Sequence, residues 1–230
     1  MRRNTNLMLT IDSGQSLLPF ELQPIMRLED NHVYAHEILY RGERLPGGWG
    51  DVDKAVLDYF RSEARGSTPT FINLDHSYLL NEPDHHLLEV SKMNSVYFEI
   101  SEEFVSSEVF DTLSRKINKL SALGITFAID DFGSGLDGLS RLFALDRVEC
   151  IKVDGKLFQQ AALRQHARES LSNMVAHWNS AGMITIAEWV ESKELLEFAR
   201  EIGFTMLQGF EVDALIASRN NASAPVGAVA

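Results

Sequence analysis

Eight apolar runs of strand length recur along this chain, and nearly all of them carry, near one end, a side chain with no place in an apolar core. They cover residues 20–28 (FELQPIMRL), 33–41 (VYAHEILYR), 69–74 (PTFINL), 96–101 (VYFEIS), 126–131 (TFAIDD), 148–154 (VECIKVD), 184–190 (ITIAEWV) and 206–210 (MLQGF). Runs this short and this rich in β-branched and aromatic residues suit buried strands. Helical periodicity fills the gaps between the later ones, at 109–123 (VFDTLSRKINKLSAL) and 167–181 (ARESLSNMVAHWNSA). Those two segments, and 195–202, run into Gly124, Gly182 and Gly203, the residue type that closes helices in the left-handed conformation.

Strands alternating with helices predict parallel βα units, and eight of them predict closure into a barrel. The first connection breaks the pattern. Only Glu29-Asp30-Asn31-His32 separates the first two runs, too little for a crossover helix, so those strands must pair antiparallel. The expected fold is therefore α/β: a modified (β/α)8 TIM-type barrel with one antiparallel strand near the N-terminus. At 230 residues and 45% hydrophobic content, one domain over 16–216 is expected, flanked by disordered tails at 1–15 and 217–230.

Charge narrows the partners. A net charge of -12, from 33 acidic against 21 basic residues, disfavours a surface made for long nucleic acid or anionic lipid. Cys150 is the only cysteine, so no intramolecular disulfide can form. No stretch reaches the roughly 18 to 20 apolar residues of a membrane span. No membrane association and a cytoplasmic location are the expectations, and no second catalytic or sensor domain fits the remaining residues.

The polar strand-end set is Glu37, Asn73, Glu99, Asp130 with Asp131, Lys152 with Asp154, Glu188 and Gln208. On a barrel these side chains would share one mouth, the face where such enzymes place their chemistry. Several carboxylates crowded there would not all ionise without cations. Asp, Glu and an Asn carbonyl suit a hard divalent ion such as Mg2+ or Mn2+, and without a Cys/His cluster zinc is disfavoured.

In order and spacing, the segments FELQPI, HEILYR, FINL, FEISE, AIDDFGSG, IKVD, AEWVE and LQGF resemble the signature blocks of the EAL family of cyclic di-GMP phosphodiesterases, from Phe20 to Phe210. The resemblance implies that Glu37, Asn73, Glu99 and Asp130 hold one metal ion, with Asp131 on a second. It implies catalytic roles for Lys152, which orients the attacking water, for Glu188 as base or second-metal support, and for Asp131. Gln23, Arg41 and Gln208 would touch the ligand, and Glu102, Asp154 and Glu191 would support the site. Cyclic di-GMP is the implied partner and metal-assisted hydrolysis to linear pGpG the implied reaction.

This sequence also departs from the family pattern. Ile38 replaces the alanine of the naming motif, Asp75 stands where serine is common, and the usual proline after the QG block is missing. Trp189 replaces the glycine of AEGVE, and a bulky ring beside Glu188 is expected to narrow the site or to stack on a base. The stretch RGERLPGGWGDVDKAV after Arg41 lacks the longer proline-led helical segment, so part of the pocket wall is expected to be absent or rebuilt. Bland readings compete for single residues: an exposed strand-end charge for Glu37, Glu99 or Glu188, and a simple pair with Asp154 for Lys152. His76, His85 and His86 lack metal-ligand spacing and read as solvated surface, and Trp49 and Trp178 as packing residues. A non-hydrolytic receptor for the same ligand, or a protein-interaction module, would share the fold. Any regulatory input is expected to come from a partner protein, from oligomerisation such as a homodimer, or from expression level.

Overall fold

The computed structural model describes residues 7–14, 17–43, 45–46, 48–62, 68–101, 106–135 and 138–222. Its strands are β1 (Leu7–Asp12), β2 (Leu17–Arg27), β3 (Val33–Tyr40), β4 (Thr70–Asn73), β5 (Val96–Ile100), β6 (Phe127–Phe132), β7 (Cys150–Val153), β8 (Ile184–Ala187) and β9 (Met206–Leu207). Its helices are α1 (Trp49–Ser62), α2 (His76–Asn81), α3 (Asp84–Met93), α4 (Ser107–Ala122), α5 (Gly138–Phe143), α6 (Gly155–Leu163), α7 (Gln165–Ser180), α8 (Lys193–Ile202) and α9 (Phe210–Ala222).

The strands pair in chain order, and β2 also pairs with β9, so β2 to β9 close into an eight-stranded barrel. Within it β2 runs antiparallel to both neighbours, β3 and β9, while β3 to β9 are parallel. The short link after β2 enforces this: Asn31 takes a left-handed φ of 53°, and Arg27 N donates to His32 O at 2.9 Å to close the turn. Gly124, Gly182 and Gly203 follow α4, α7 and α8 with φ of 94°, 83° and 92°, as their positions in the sequence required.

Alternation builds the interior. Ile25, Ala35, Phe71, Ala128, Cys150, Ile186 and Met206 form one buried layer, with Tyr97 packed against it from β5. Every one of these residues has a polar counterpart two positions away, on the same face of its strand: Gln23, Glu37, Asn73, Asp130, Lys152, Glu188, Gln208 and, for Tyr97, Glu99. The apolar layer floors the polar one. Outside the strands, two larger apolar clusters pack the helices onto the wall, one centred on α1, α3 and α4 and the other on α6, α7 and α8.

The ends of the chain differ from expectation. Leu7–Asp12, read as part of a disordered tail, form β1, which pairs antiparallel with the first half of β2 outside the barrel. Its alternation is hidden in sequence because Leu7 and Met8 are exposed and only Ile11 is buried. At the other end α9 runs on to Ala222, past the expected boundary at 216, with Val212 buried against the α6 to α8 cluster. The stretch after Arg41 holds α1, a 14-residue helix whose Val52, Val56, Leu57 and Phe60 face the core.

Candidate active site

Lys152 sits at the centre of the polar layer. It is 1% exposed, and its Nζ lies 2.7 Å from Glu99 Oε1, 2.7 Å from Asp130 Oδ1, 2.9 Å from Glu37 Oε2 and 3.1 Å from Glu188 Oε1. The pair with Asp154 does not form. Asp154 instead caps α6, accepting from Lys156 N at 3.1 Å and Leu157 N at 3.0 Å. Glu37 is held further by Asn73 Nδ2 at 2.9 Å and by Gln208 Nε2 at 2.6 Å, and Gln208 Nε2 also donates to Gln23 Oε1 at 3.1 Å. Six strands, β2 to β7, and the turns just past β8 and β9 thus supply one cluster of ion pairs and hydrogen bonds.

Its electrostatics are lopsided. Burial by itself would strip Lys152 of its proton, but the charges of Asp130, Glu37, Glu99 and Glu188 outweigh that and raise it well above the usual lysine value. Glu99 and Glu188 are pushed far up, first by burial and then by neighbouring carboxylates, which Lys152 only partly offsets. Glu37 goes the other way: burial opposes it, but Lys152 and the hydrogen bonds from Gln208, Lys152 and Asn73 hold it below the ordinary glutamate value. Asp131, at a left-handed φ of 54°, is pushed up to about 6 by burial and by Asp130.

One ammonium has three protons and faces four carboxylates. Neither oxygen of the fully buried Glu99 makes a well-directed hydrogen bond, and Asp130 Oδ1 is in the same position. Carboxylate oxygens of Glu37, Glu99 and Asp130 lie within 4.8 Å of one another, as do those of Asp130, Asp131 and Glu188. Two all-oxygen clusters that share Asp130 and are short of positive charge suit a pair of hard divalent cations. The residues fit the metal.

The cleft above this cluster has two lobes. The first, about 430 Å³, is lined by Gln23, Glu37, Asp130, Asp131, Lys152, Glu188, Trp189, Glu191 and Gln208, among others. The second, about 340 Å³, shares Leu39, Asp130 and Asp131 with the first and extends along Tyr40, Arg41, Trp49, Asp53 and Asn73. Arg41 therefore lies apart from the carboxylate centre, in the second lobe, where its Nε donates to the buried Glu21 Oε2 at 2.6 Å. Glu191 is exposed at the rim. Glu102, expected to support the site, lies outside the described residues.

Three residues depart from their sequence reading. His76 is buried, not solvated, and donates from Nε2 to Ser101 O at 3.1 Å, which also accepts from Arg141 Nη1 at 3.3 Å. These two contacts tie down the chain just past Glu99. Trp49 is 57% exposed and lines the second lobe, whereas Trp178 is buried in the core as expected. Asp53 was not anticipated as a site-supporting residue. It is 6% exposed on the inner face of α1, and its Oδ2 accepts from Asp75 N at 2.8 Å, bracing the turn after Asn73. A signal existed, since Asp53 shares helical spacing with Val56, Leu57 and Phe60, but a carboxylate at one such position looks like ordinary surface.

Glu188 and Gln208 are set by one close approach. Gly209 has φ 144°, and a Cβ there would lie 2.4 Å from Val190 N. Only glycine lets the two chains meet, where Val190 N donates to Gln208 O at 3.1 Å and Glu211 N to Val190 O at 2.9 Å.

Comparison with known proteins agrees with this fold. The bifunctional diguanylate cyclase/cyclic di-GMP phosphodiesterase MucR of Pseudomonas aeruginosa is 30% identical over 169 residues, covering 72% of this chain and 22% of that protein. The blue light- and temperature-regulated antirepressor BluF of Escherichia coli is 34% identical over 150 residues, covering 60% of this chain and 36% of its own. The chain thus spans well under half the length of these relatives. Among solved structures, the calcium/cy-diGMP complex of Klebsiella pneumoniae BlrP1 superposes with a TM-score of 0.69 at 23% identity, over 90% of this chain and 58% of the other, a likeness of fold. The family model for the EAL domain matches residues 52–213, beginning after Gln23, Glu37 and Arg41. Since that match takes in most of α1 and every barrel strand from β4 to β9, the chain belongs to the EAL domain family.

Proposed function

We propose that this chain is a divalent-metal-dependent phosphodiesterase that hydrolyses cyclic di-GMP to linear pGpG. The observation that carries the reading is the group of carboxylates, Glu37, Glu99, Asp130 and Glu188, packed round the ammonium of Lys152 with Asp131 beside them, neither oxygen of Glu99 accepting a well-directed hydrogen bond. Curated relatives named as cyclic di-GMP phosphodiesterases, including PdeB of Shewanella oneidensis, support the choice of substrate.

In this reading Glu37, Asn73, Glu99 and Asp130 hold one Mg2+ or Mn2+, and Asp130, Asp131 and Glu188 a second. Such ions, when bound, offset phosphodiester charge and acidify a coordinated water. The chain's own residues do the rest. Lys152, kept charged by its neighbours, orients the nucleophile and offsets negative charge that develops at the phosphorus oxygens. Glu188, 3.1 Å from the Lys152 ammonium and grouped with Asp130 and Asp131, serves as second-metal support or as the base that accepts a proton from the nucleophile. Gln208 and Asn73 keep Glu37 in place, while Gln23 and Arg41 reach the ligand in the first and second lobes. Asp154 supports by capping α6, and Glu191 by its place on the rim.

The test is direct: incubate the purified protein with cyclic di-GMP and Mg2+ or Mn2+ and follow pGpG. Ligand binding without pGpG would replace this reading with a receptor. Absence of binding would move the chain towards a protein-interaction role.

A further inference from the structure

Trp189 is one of three non-glycine residues at positive φ among the described residues, and at 51° it is the bulkiest. A large side chain in that region is a genuine outlier, held only where the surroundings over-determine it. Here they do. Glu188 N donates to Val153 O at 3.3 Å, Val190 N to Gln208 O at 3.1 Å, and Gln159 Nε2 to Trp189 O at 3.3 Å.

The turn has a consequence for the ring. Glu188 faces the barrel interior, and regular alternation would send the next side chain outwards among the helices. Instead the left-handed residue swings the indole up to the mouth, where it lines the first lobe and stays 47% exposed. It has a fitted seat: a Cβ on Gly155 would fall 2.2 Å from Trp189 Cγ, so only glycine at the start of α6 lets the ring lie there. The Lys156 ammonium stands 6.0 Å from the ring centroid, where it adds a positive charge beside the platform. A strained, seated and half-open aromatic ring next to the carboxylate centre has the form of a stacking surface.

Resting on the reading under Proposed function, we infer that the Trp189 indole is a base-stacking platform for one purine of the cyclic dinucleotide, placing the scissile phosphodiester over the acidic cluster. Stacking tolerates any base with a large π-face, so the platform sets affinity and favours purines over pyrimidines without reading base edges.

The experiment measures binding of cyclic di-GMP and of a cyclic dipyrimidine dinucleotide in Ca2+, by calorimetry, for the wild type, Trp189→Gly and Trp189→Phe. Glycine suits the left-handed φ, so Trp189→Gly should melt no lower than wild type, which separates lost stacking from misfolding. Expected is a loss of about ten- to hundredfold in cyclic di-GMP affinity for Trp189→Gly, most of it recovered in Trp189→Phe, with the dipyrimidine weaker on the wild type and nearly unaffected by the glycine. A Trp49→Phe protein, left with buried Trp178 and exposed Trp189, should show its fluorescence change as cyclic di-GMP saturates it. Affinity of Trp189→Gly within twofold of wild type, or no fluorescence change at saturation, would overturn the platform and leave the proposed activity standing. Failure of the wild type itself to bind would overturn both, and is told apart by appearing before any substitution is made.

Discussion

Lys152 and Asp53 are both buried titratable groups, but they respond to change in opposite ways. Lys152 stabilises its surroundings by being charged, so Lys152→Ala leaves Glu37, Glu99, Asp130 and Glu188 facing one another. Removing one partner of a buried ionic cluster costs about 3 to 5 kcal/mol. The expected outcome is a lower melting temperature in EDTA, a larger rescue by Mg2+ than the wild type shows, and pGpG formation reduced by orders of magnitude; a variant melting like the wild type in EDTA would contradict the geometry. Asp53 is raised to about 7 by burial, against the backbone N–H of Asp75, which lowers it, and the Asp75 charge, which raises it. The folded state therefore holds a proton that the unfolded chain has released above its ordinary value of 3.8. The associated stability is full below that value and is lost as pH rises through about 7. Asp53→Asn keeps an oxygen for Asp75 N and removes the titration. Urea unfolding should show the wild type losing on the order of 2 to 4 kcal/mol relative to this variant between pH 4 and pH 8.

At the scale of elements, the turns beyond the strands matter more than the strands themselves. Gly209→Ala would place a methyl group against the Val190 backbone at a φ of 144° that only glycine adopts with ease. We expect at least about 2 kcal/mol of destabilisation in denaturant titrations, and a loss of activity beyond what the remaining folded fraction explains, because Gln208 and Glu188 flank the contact. Asp154→Ala offers a contrast. It removes the acceptor for Lys156 N and Leu157 N at the start of α6, a change costing about 1 to 2 kcal/mol. Its activity should fall less than that of Gly209→Ala, since no group in the carboxylate cluster bonds to Asp154 among the described residues. β1 shows how an element can escape a sequence reading. It lies on β2 outside the barrel with Leu7 and Met8 in solvent, so pairing with β2 and the burial of Ile11 together hold it.

For the molecule as a whole, a net charge of -12 and an acidic mouth lead us to expect that divalent cations raise stability. A divalent ion at a hundred times its dissociation constant adds about 2.7 kcal/mol, read as a rise in melting temperature that Glu99→Gln should sharply reduce. Ca2+ should stabilise comparably yet support little turnover, being larger and less exacting in geometry. The barrel, its antiparallel β2 and the layer of polar strand ends were legible in the chain because period-two alternation and a four-residue link leave few topologies open. The same spacing put Glu37, Asn73, Glu99, Asp130, Lys152, Glu188 and Gln208 on one face, which needs nothing more than a barrel to bring them together. Other features lay beyond the sequence. That Lys152 serves four carboxylates instead of Asp154, that Arg41 sits in a second lobe on Glu21, and that His76 and Asp53 are buried braces all depend on distances between segments far apart in the chain. Trp189 is a mixed case. Its place beside Glu188 already suggested a ring that narrows the site or stacks on a base, but alternation alone would turn it outwards, and the left-handed φ that brings it to the mouth is seen only in the fold. Local pattern determined which face each strand turns inwards; which partner each buried charge meets, and where the chain leaves the pattern, was decided by tertiary packing, because hydrogen-bond geometry there outweighs the preference of any single residue.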